Sequence, residues 1–189
     1  MAPARTLENS RARLEPLTAD NAGLLAAVAA EPDLIRYSPG ILHTPEGFEA
    51  YVARALGEAA NGQSIPYLIR DLQAGQVAGS TRFMRIDRAN KVVEIGSTWI
   101  GSDFQGTGLN GAVKELMLDE AFGPLGFEKV VFRIDERNVR SRRAVEKLGA
   151  RLEGILRRDV YLDSGFKRNT CVYGLLREEW PGGSTTLGG

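Results

Sequence analysis

One β–α–β crossover constrains this chain more than any other feature. A strand-like run, Val92 to Ile100, leads into Gln105-Gly106-Thr107-Gly108-Leu109-Asn110, which opens an apolar segment of helical period reaching about Phe122. Gly123-Pro124 stops that helix, and Lys129 to Ile134 reads as a short apolar strand. This order makes the two strands parallel neighbours with a right-handed connection. Two glycines at the junction expose backbone N–H groups at the positive end of the helix dipole, a fitting cradle for a pyrophosphate. Alone, the glycine pair serves equally well as a plain turn.

The flanking chain narrows the fold class. Arg11 to Leu17 reads as a first strand, and Thr18 as the cap of a helix over Ala19 to Ala30. Thr44-Pro45-Glu46 starts a second helix that ends near Asn61-Gly62. Ile65 to Asp71, Gln76 to Ile86 and Lys91 to Ile100 follow as antiparallel strands around short turns. After the crossover come a helix over Arg140 to Leu148 and a hairpin, Leu152 to Tyr161 with Lys167 to Leu176, around Asp163-Ser164-Gly165. Strands grouped at the front argue against a doubly wound sheet. The expected class is α+β, a three-layer sandwich with a mixed, mostly antiparallel central sheet flanked by helices. Residues 1–180 read as one domain and 181–189, rich in Gly, Ser and Thr, as a flexible tail.

Composition removes several function classes. Lys+Arg 24 and Asp+Glu 24 cancel, so no global field draws the chain to nucleic acid or an acidic membrane. No apolar run is long enough for a membrane span, and Met1 to Ser10 lacks a signal-peptide core. His43 and Cys171 stand alone, so no zinc site of several His and Cys ligands is expected, and no metal. His43 precedes Thr44-Pro45 in a loop, with no G-x-S-x-G elbow to partner it. Cys171, in an apolar alternating run, reads as a buried small hydrophobe that suits the cytoplasm.

A second motif answers the glycine loop: Asn138-Val139-Arg140-Ser141, opening a helix that closes on Leu148-Gly149-Ala150. From Val92 to Ala150 the chain resembles the GNAT superfamily of acyl-CoA-dependent N-acyltransferases. The family's phosphate loop, Gln/Arg-x-x-Gly-x-Gly/Ala, is matched by Gln105 and Gly108, with Asn110 where Gly or Ala is usual. Its Asn-x-x-Ser-x-x-Ala signature is matched by Asn138, Ser141 and Ala144. Glu94-Ile95-Gly96 and Leu152-Glu153-Gly154-Ile155-Leu156-Arg157 look like the branch of ribosomal-protein N-terminal acetyltransferases, the RimJ/RimL-like enzymes.

The resemblance implies transfer of an acetyl group from acetyl-CoA directly to a primary amine, either a protein N-terminus or a small molecule. It implies that the strands ending near Ile100 and Ile134 splay into a slot. Main chain at Trp99 and Ile100 would pair with pantetheine, and Gln105, Gly106, Thr107, Gly108, Leu109 and Asn110 would hold the pyrophosphate. Asn138 would bond the pantetheine or simply cap its helix. Ser141 is the candidate general acid, or an ordinary hydroxyl at a helix start. Glu94 is the candidate base, or an ion-paired strand carboxylate, with Asp135 and Glu136 as weaker candidates. Tyr161 is an alternative acid or a packing residue. Arg140, Arg142 and Arg143 meet the 3′-phosphate of CoA, Arg143 foremost, or form a solvated face. Tyr37, Phe48, Tyr51, Phe104 and Phe166 line an acceptor pocket or pack the core. The resemblance also implies a homodimer. The rival reading is a GNAT-fold module that binds acyl-CoA without turnover.

Overall fold

A computed structural model describes residues 4–181. The tail expected from position 181 onward lies, past Pro181, outside the described residues. The strands are β1 (Leu7–Glu8), β2 (Ala12–Pro16), β3 (Ser64–Asp71), β4 (Gln76–Asp87), β5 (Val92–Ile100), β6 (Lys129–Asp135), β7 (Arg151–Tyr161) and β8 (Lys167–Leu176). The α-helices are α1 (Ala26–Ala29), α2 (Pro45–Ala60), α3 (Leu109–Phe122) and α4 (Val139–Glu146). One eight-stranded sheet runs in the order β1-β2-β3-β4-β5-β6-β8-β7. Among the described residues only β5 and β6 pair in parallel, as the crossover requires.

Helices cover both faces, and β3 shows this in its side chains. Tyr67 and Ile69 pack into the larger core with Val113 and Met117 of α3, while Leu68 between them packs with Tyr51 and Ala55 of α2. A strand buried on both sides loses the polar half of its alternation. Each fully buried aliphatic side chain contributes about 1.5–3 kcal/mol to this sandwich.

Local chemistry sets the helix ends. Thr44 caps α2 by accepting from the Gly47 amide at 3.1 Å, with Pro45 in the first turn. Asn138 caps α4 by accepting from the Ser141 amide at 3.1 Å. The first helix corrects the sequence reading. Ala19 to Ala30 is not one helix but a 3-10 turn, Ala22–Leu25, followed by the single turn α1. Thr18 and Asn21 bond each other and Asn21 also reaches the Pro16 carbonyl, so neither caps a helix, and Gly23 weakens the interior. Strand β1 was missed because two residues show no periodicity; Asn9 builds its turn by accepting from the amides of Arg11 and Ala12.

Two irregularities of β5 shape the site. Its ladder with β6 holds only at Val92–Lys129, Val93–Val130 and Glu94–Val131. Beyond Glu94, β5 runs on to Ile100 and β6 to Asp135 without pairing, so the strands open into a wedge. On the other edge, the β4 ladder jumps from Arg82–Gly96 to Ser80–Trp99, which sets Ser97 and Thr98 against Thr81 alone. This is a β-bulge, and Ser97 takes a positive φ of 48° to make it.

Candidate active site

Three cavities meet at that bulge. A groove of about 580 Å³ runs from the loop after β5 to the start of α4, past Ile100, Gln105, Asn110, Asn138 and Ser141. A narrower cavity of about 130 Å³ fills the wedge itself, between β5, β6, α3 and α4. A third, of about 360 Å³, lies toward α2 against Tyr51, Arg54 and Trp99. Thr98 lines all three.

The loop at the mouth of the groove is built to approach an anion. Gly106 and Gly108 have φ of +80° and +91°, and a Cβ at either would meet nothing within 4 Å. Gly108 is the N-cap of α3 and brings no side chain to its first turn; the Leu109 amide donates to Thr107 Oγ1 at 3.5 Å, which leaves the amides of Asn110 and Gly111 for a ligand. Gln105 is tethered at both ends: its Nε2 donates to the Ile100 carbonyl at 2.8 Å, and its Oε1 accepts from Arg140 at 2.6 Å. Thr107 donates to the Phe104 carbonyl at 2.7 Å and accepts from Arg11 at 3.1 Å. Leu109 is fully buried, and Gly106, Thr107, Gly108 and Leu109 lie outside the groove's lining, which Gln105 and Asn110 reach. These features fit a diphosphate resting on the helix start.

Lys114, Asp135 and Arg168, three of the buried charged side chains, line the wedge, and Glu94 lies beside it. Glu94 is 6% exposed and has Nε of Arg85 at 3.1 Å and Nε of Arg133 at 3.4 Å from its Oε2. Neither contact is aligned as a hydrogen bond, so the pairing is Coulombic. Burial pushes its pKa up while the two arginines restrain it. Glu94 lies outside the linings of the three cavities, but a Cβ on Gly96, which lines the wedge, would come within 3.1 Å of its Oε1. Asp135 does line the wedge, and Arg137 occupies both its oxygens at 3.0 and 2.6 Å. Burial favours the neutral acid, yet those bonds win and its pKa falls.

The chain's match to known proteins now bears on this geometry. Residues 11–151 match the family described as the Acetyltransferase (GNAT) domain. The chain belongs to the GNAT acetyltransferase family. It is therefore an acyltransferase by descent. Among curated relatives, YdaF of Bacillus subtilis (strain 168), provisionally named a ribosomal N-acetyltransferase, is 31% identical over 111 residues, 59% of this chain and 60% of YdaF. The matched part thus spans about 60% of that relative's length. A GCN5-related N-acetyltransferase from Brucella melitensis superimposes with a TM-score of 0.84 at 30% identity, over 94% of this chain and 80% of the other. Mycobacterium smegmatis RimJ, solved with CoA-disulfide, shares the fold, with a TM-score of 0.79 at 21% identity over 94% of this chain and 88% of RimJ.

Within this GNAT domain the expected residues separate into two groups. Trp99, Ile100, Gln105, Asn110, Asn138, Arg140 and Ser141 converge on the large groove. Trp99 contributes main chain there, since its ring is 3% exposed and packs edge-on against Tyr51, centroids 5.7 Å apart. Arg143 is exposed and outside all three linings. Arg142 donates to the Tyr173 hydroxyl at 2.9 Å and to the Glu136 carbonyl at 3.1 Å, a structural role. Tyr161, read either as an acid or as a buried packing residue, is 62% exposed beneath the Lys167 ammonium and outside the cavities. Of the five aromatics, Tyr37 and Phe104 line the groove and Tyr51 the third cavity. Phe48 packs the smaller core and Phe166 lies under Arg137. Among the described residues no group of three or more His, Cys, Asp or Glu could hold a metal, and no helix is long and apolar enough to cross a membrane.

Sequence reasoning missed Thr98, Lys114 and Arg168. Lys114 is 7% exposed on the buried face of α3 and donates to Thr98 Oγ1 at 3.1 Å. Arg168 is 8% exposed, and its guanidinium reaches across the wedge to the Tyr37 carbonyl. One signal was available: Lys114 falls on the same helical stripe as Asn110, Val113 and Met117, where a solvated lysine would not be placed.

Proposed function

We propose that this GNAT domain moves an acetyl group from acetyl-CoA directly to a primary amine. One observation carries the reading: the groove with the glycine loop at its mouth and the separate cavity toward α2 share Thr98 at the bulge. Donor and acceptor entering from opposite sides would meet there, as direct transfer requires. The amides from Gly106 to Asn110 would hold the pyrophosphate, with Arg140 beside them. Main chain at Trp99 and Ile100 would receive the pantetheine. CoA supplies the activated thioester; the remaining work falls to side chains and amides of this chain.

Ser97 and Thr98 sit in the bulge, outside the regular ladders with β4 and β6, and their amides would be offered to a carbonyl oxygen that gains charge. Glu94 would take the amine's proton through a water at Gly96, since its Oε1 faces that backbone. Ser141 lines both the groove and the wedge, where it would return a proton to sulfur. The likeness to YdaF supports a protein N-terminal amine as acceptor, with small amines as the competing class. The same reading takes the enzyme as a cytoplasmic homodimer, which sedimentation of the purified chain tests for the dimer.

Calorimetric titration with acetyl-CoA, ATP and NADH comes first, then an amine screen of peptides with free N-termini against small amines. Saturable binding of acetyl-CoA alone and turnover with an amine are expected. Glu94→Gln should lower kcat by roughly 10²-fold or more, and Ser141→Ala by less, with CoA affinity retained. No binding at near-millimolar acetyl-CoA would sink the proposal. Binding without turnover on any amine would leave a sensor module.

A further inference from the structure

The wedge carries a positive charge that the reaction above does not use. Lys114 is buried on α3, one turn deeper than Asn110, and its Nζ meets a hydroxyl, Thr98 Oγ1, and the ring of Phe132 at 5.6 Å. No carboxylate pairs with it among the described residues. The carboxylates nearby are engaged elsewhere, Glu94 with Arg85 and Arg133, and Asp135 with Arg137. Arg168 lines the same cavity, and its buried Nε has no hydrogen-bond partner among the described residues. A buried ammonium without a counter-charge is costly, so an anion that arrives beside it is favoured. Burial alone pulls Lys114 down to about 8, which still leaves it mainly charged at neutral pH.

The phosphates of CoA do not answer this charge. They belong at the glycine loop, whereas Lys114 points away from that loop to Thr98, at the junction of the cavities. With the donor in the groove, its acyl end would reach the wedge past Thr98, which lines both cavities. We propose that the wedge is an acyl subsite for a donor whose short acyl chain ends in a carboxylate, with Lys114 as its counter-charge and Arg168 as a second donor. The cavity, about 130 Å³, has room for a chain of a few heavy atoms and not for a long hydrocarbon tail. The transfer itself is unaltered: the amine nitrogen bonds to the thioester carbon, the carbon–sulfur bond breaks, the amine's proton is balanced by the one sulfur gains, and the distal carboxylate stays intact.

This inference rests on the acyl-CoA reading of the groove, and the test separates the two. The probes are CoA, acetyl-CoA, butyryl-CoA and succinyl-CoA, titrated calorimetrically into the wild-type chain and into Lys114→Met and Arg168→Gln. Butyryl and succinyl chains match in length and differ in the terminal carboxylate. Succinyl-CoA should bind at least about tenfold tighter than butyryl-CoA, as a charge-assisted contact gives. In Lys114→Met that ratio should fall to about one, and in Arg168→Gln it should shrink. Equal affinity for the two donors in the wild type overturns the proposal, and so does a preference that survives Lys114→Met. If Lys114 serves only the transient oxyanion, Lys114→Met slows every donor alike and leaves the ratio unchanged, which also overturns it. Loss of CoA binding altogether in the wild type is a different failure, that of the donor groove.

Discussion

At the scale of single residues, Lys114 sets a pH dependence whose sign can be worked out. Its pKa is about 8 in the folded chain against 10.5 in the unfolded one, with burial as the cause. Below pH 8 both states hold the proton and the folded state bears the full desolvation cost. Between 8 and 10.5 the unfolded chain still binds a proton that the folded chain has lost, so stability rises with pH. Lys114→Met removes the cost and should raise stability at pH 7 by about 1–3 kcal/mol, after the lost bond to Thr98 offsets part of it. Urea midpoints at pH 7 and pH 10 check this: the variant's advantage should shrink at the higher pH. An advantage of the same size at both would show that Lys114 is not desolvated. The case also marks a limit of sequence reading. Lysine suggests solvent, and only helical phase against Asn110 and Met117 places it inside. Glu94 and Ser141 stand out in the sequence because a motif surrounds them; Arg168 does not, since it reaches the wedge through a strand pairing distant in sequence.

Secondary-structure elements carry their own tests. The close approach of β4 to the bulged β5 depends on Gly79, where a Cβ would lie 2.0 Å from the Trp99 carbonyl oxygen. That contact is backbone against backbone, so Gly79→Ala should cost roughly 2–4 kcal/mol and shift the bulge. Chemical denaturation measures the cost, and a loss under 1 kcal/mol would mean that the strands part easily. Gly108→Ala is the contrasting case. Space around it is open, so the φ of +91° is the main penalty, on the order of 1 kcal/mol. The fold should survive, while CoA affinity drops as the side chain crowds the open amides. An unaltered dissociation constant would move the diphosphate off this loop. Element limits followed the same logic in the sequence. Thr44-Pro45, Gly123 and Asn138 mark helix ends through local capping chemistry, and the structure ends its helices there. The first helix failed because Thr18 and Asn21 satisfy one another, an alternative that capping rules do not rank.

At the scale of the whole molecule, the sheet is two plates joined by a short seam. The β–α–β order alone implied the parallel pair, because crossover geometry is a local rule. The splay of that pair had no signal of its own in the residues and was inferred only from the GNAT resemblance, since register depends on contacts distant in the chain. The seam holds at Val92–Lys129, Val93–Val130 and Glu94–Val131, and beyond it the facing edges of β5 and β6 have no partner strand. A ligand in the wedge would act as the missing strand and tie β1–β5 to β6–β8. Binding to the folded chain alone stabilises it by RT ln(1 + [L]/Kd), about 2.7 kcal/mol at a hundredfold excess over Kd. The gain should not be spread evenly. Hydrogen exchange at saturating CoA should slow most at 97–100 of β5, at 132–135 of β6 and at 106–111 of the loop and α3. Exchange in β2 and β3, which are paired on both edges without the ligand, should change little. Uniform slowing across the sheet would mean that CoA acts by global stabilisation alone, and that the wedge closes without it.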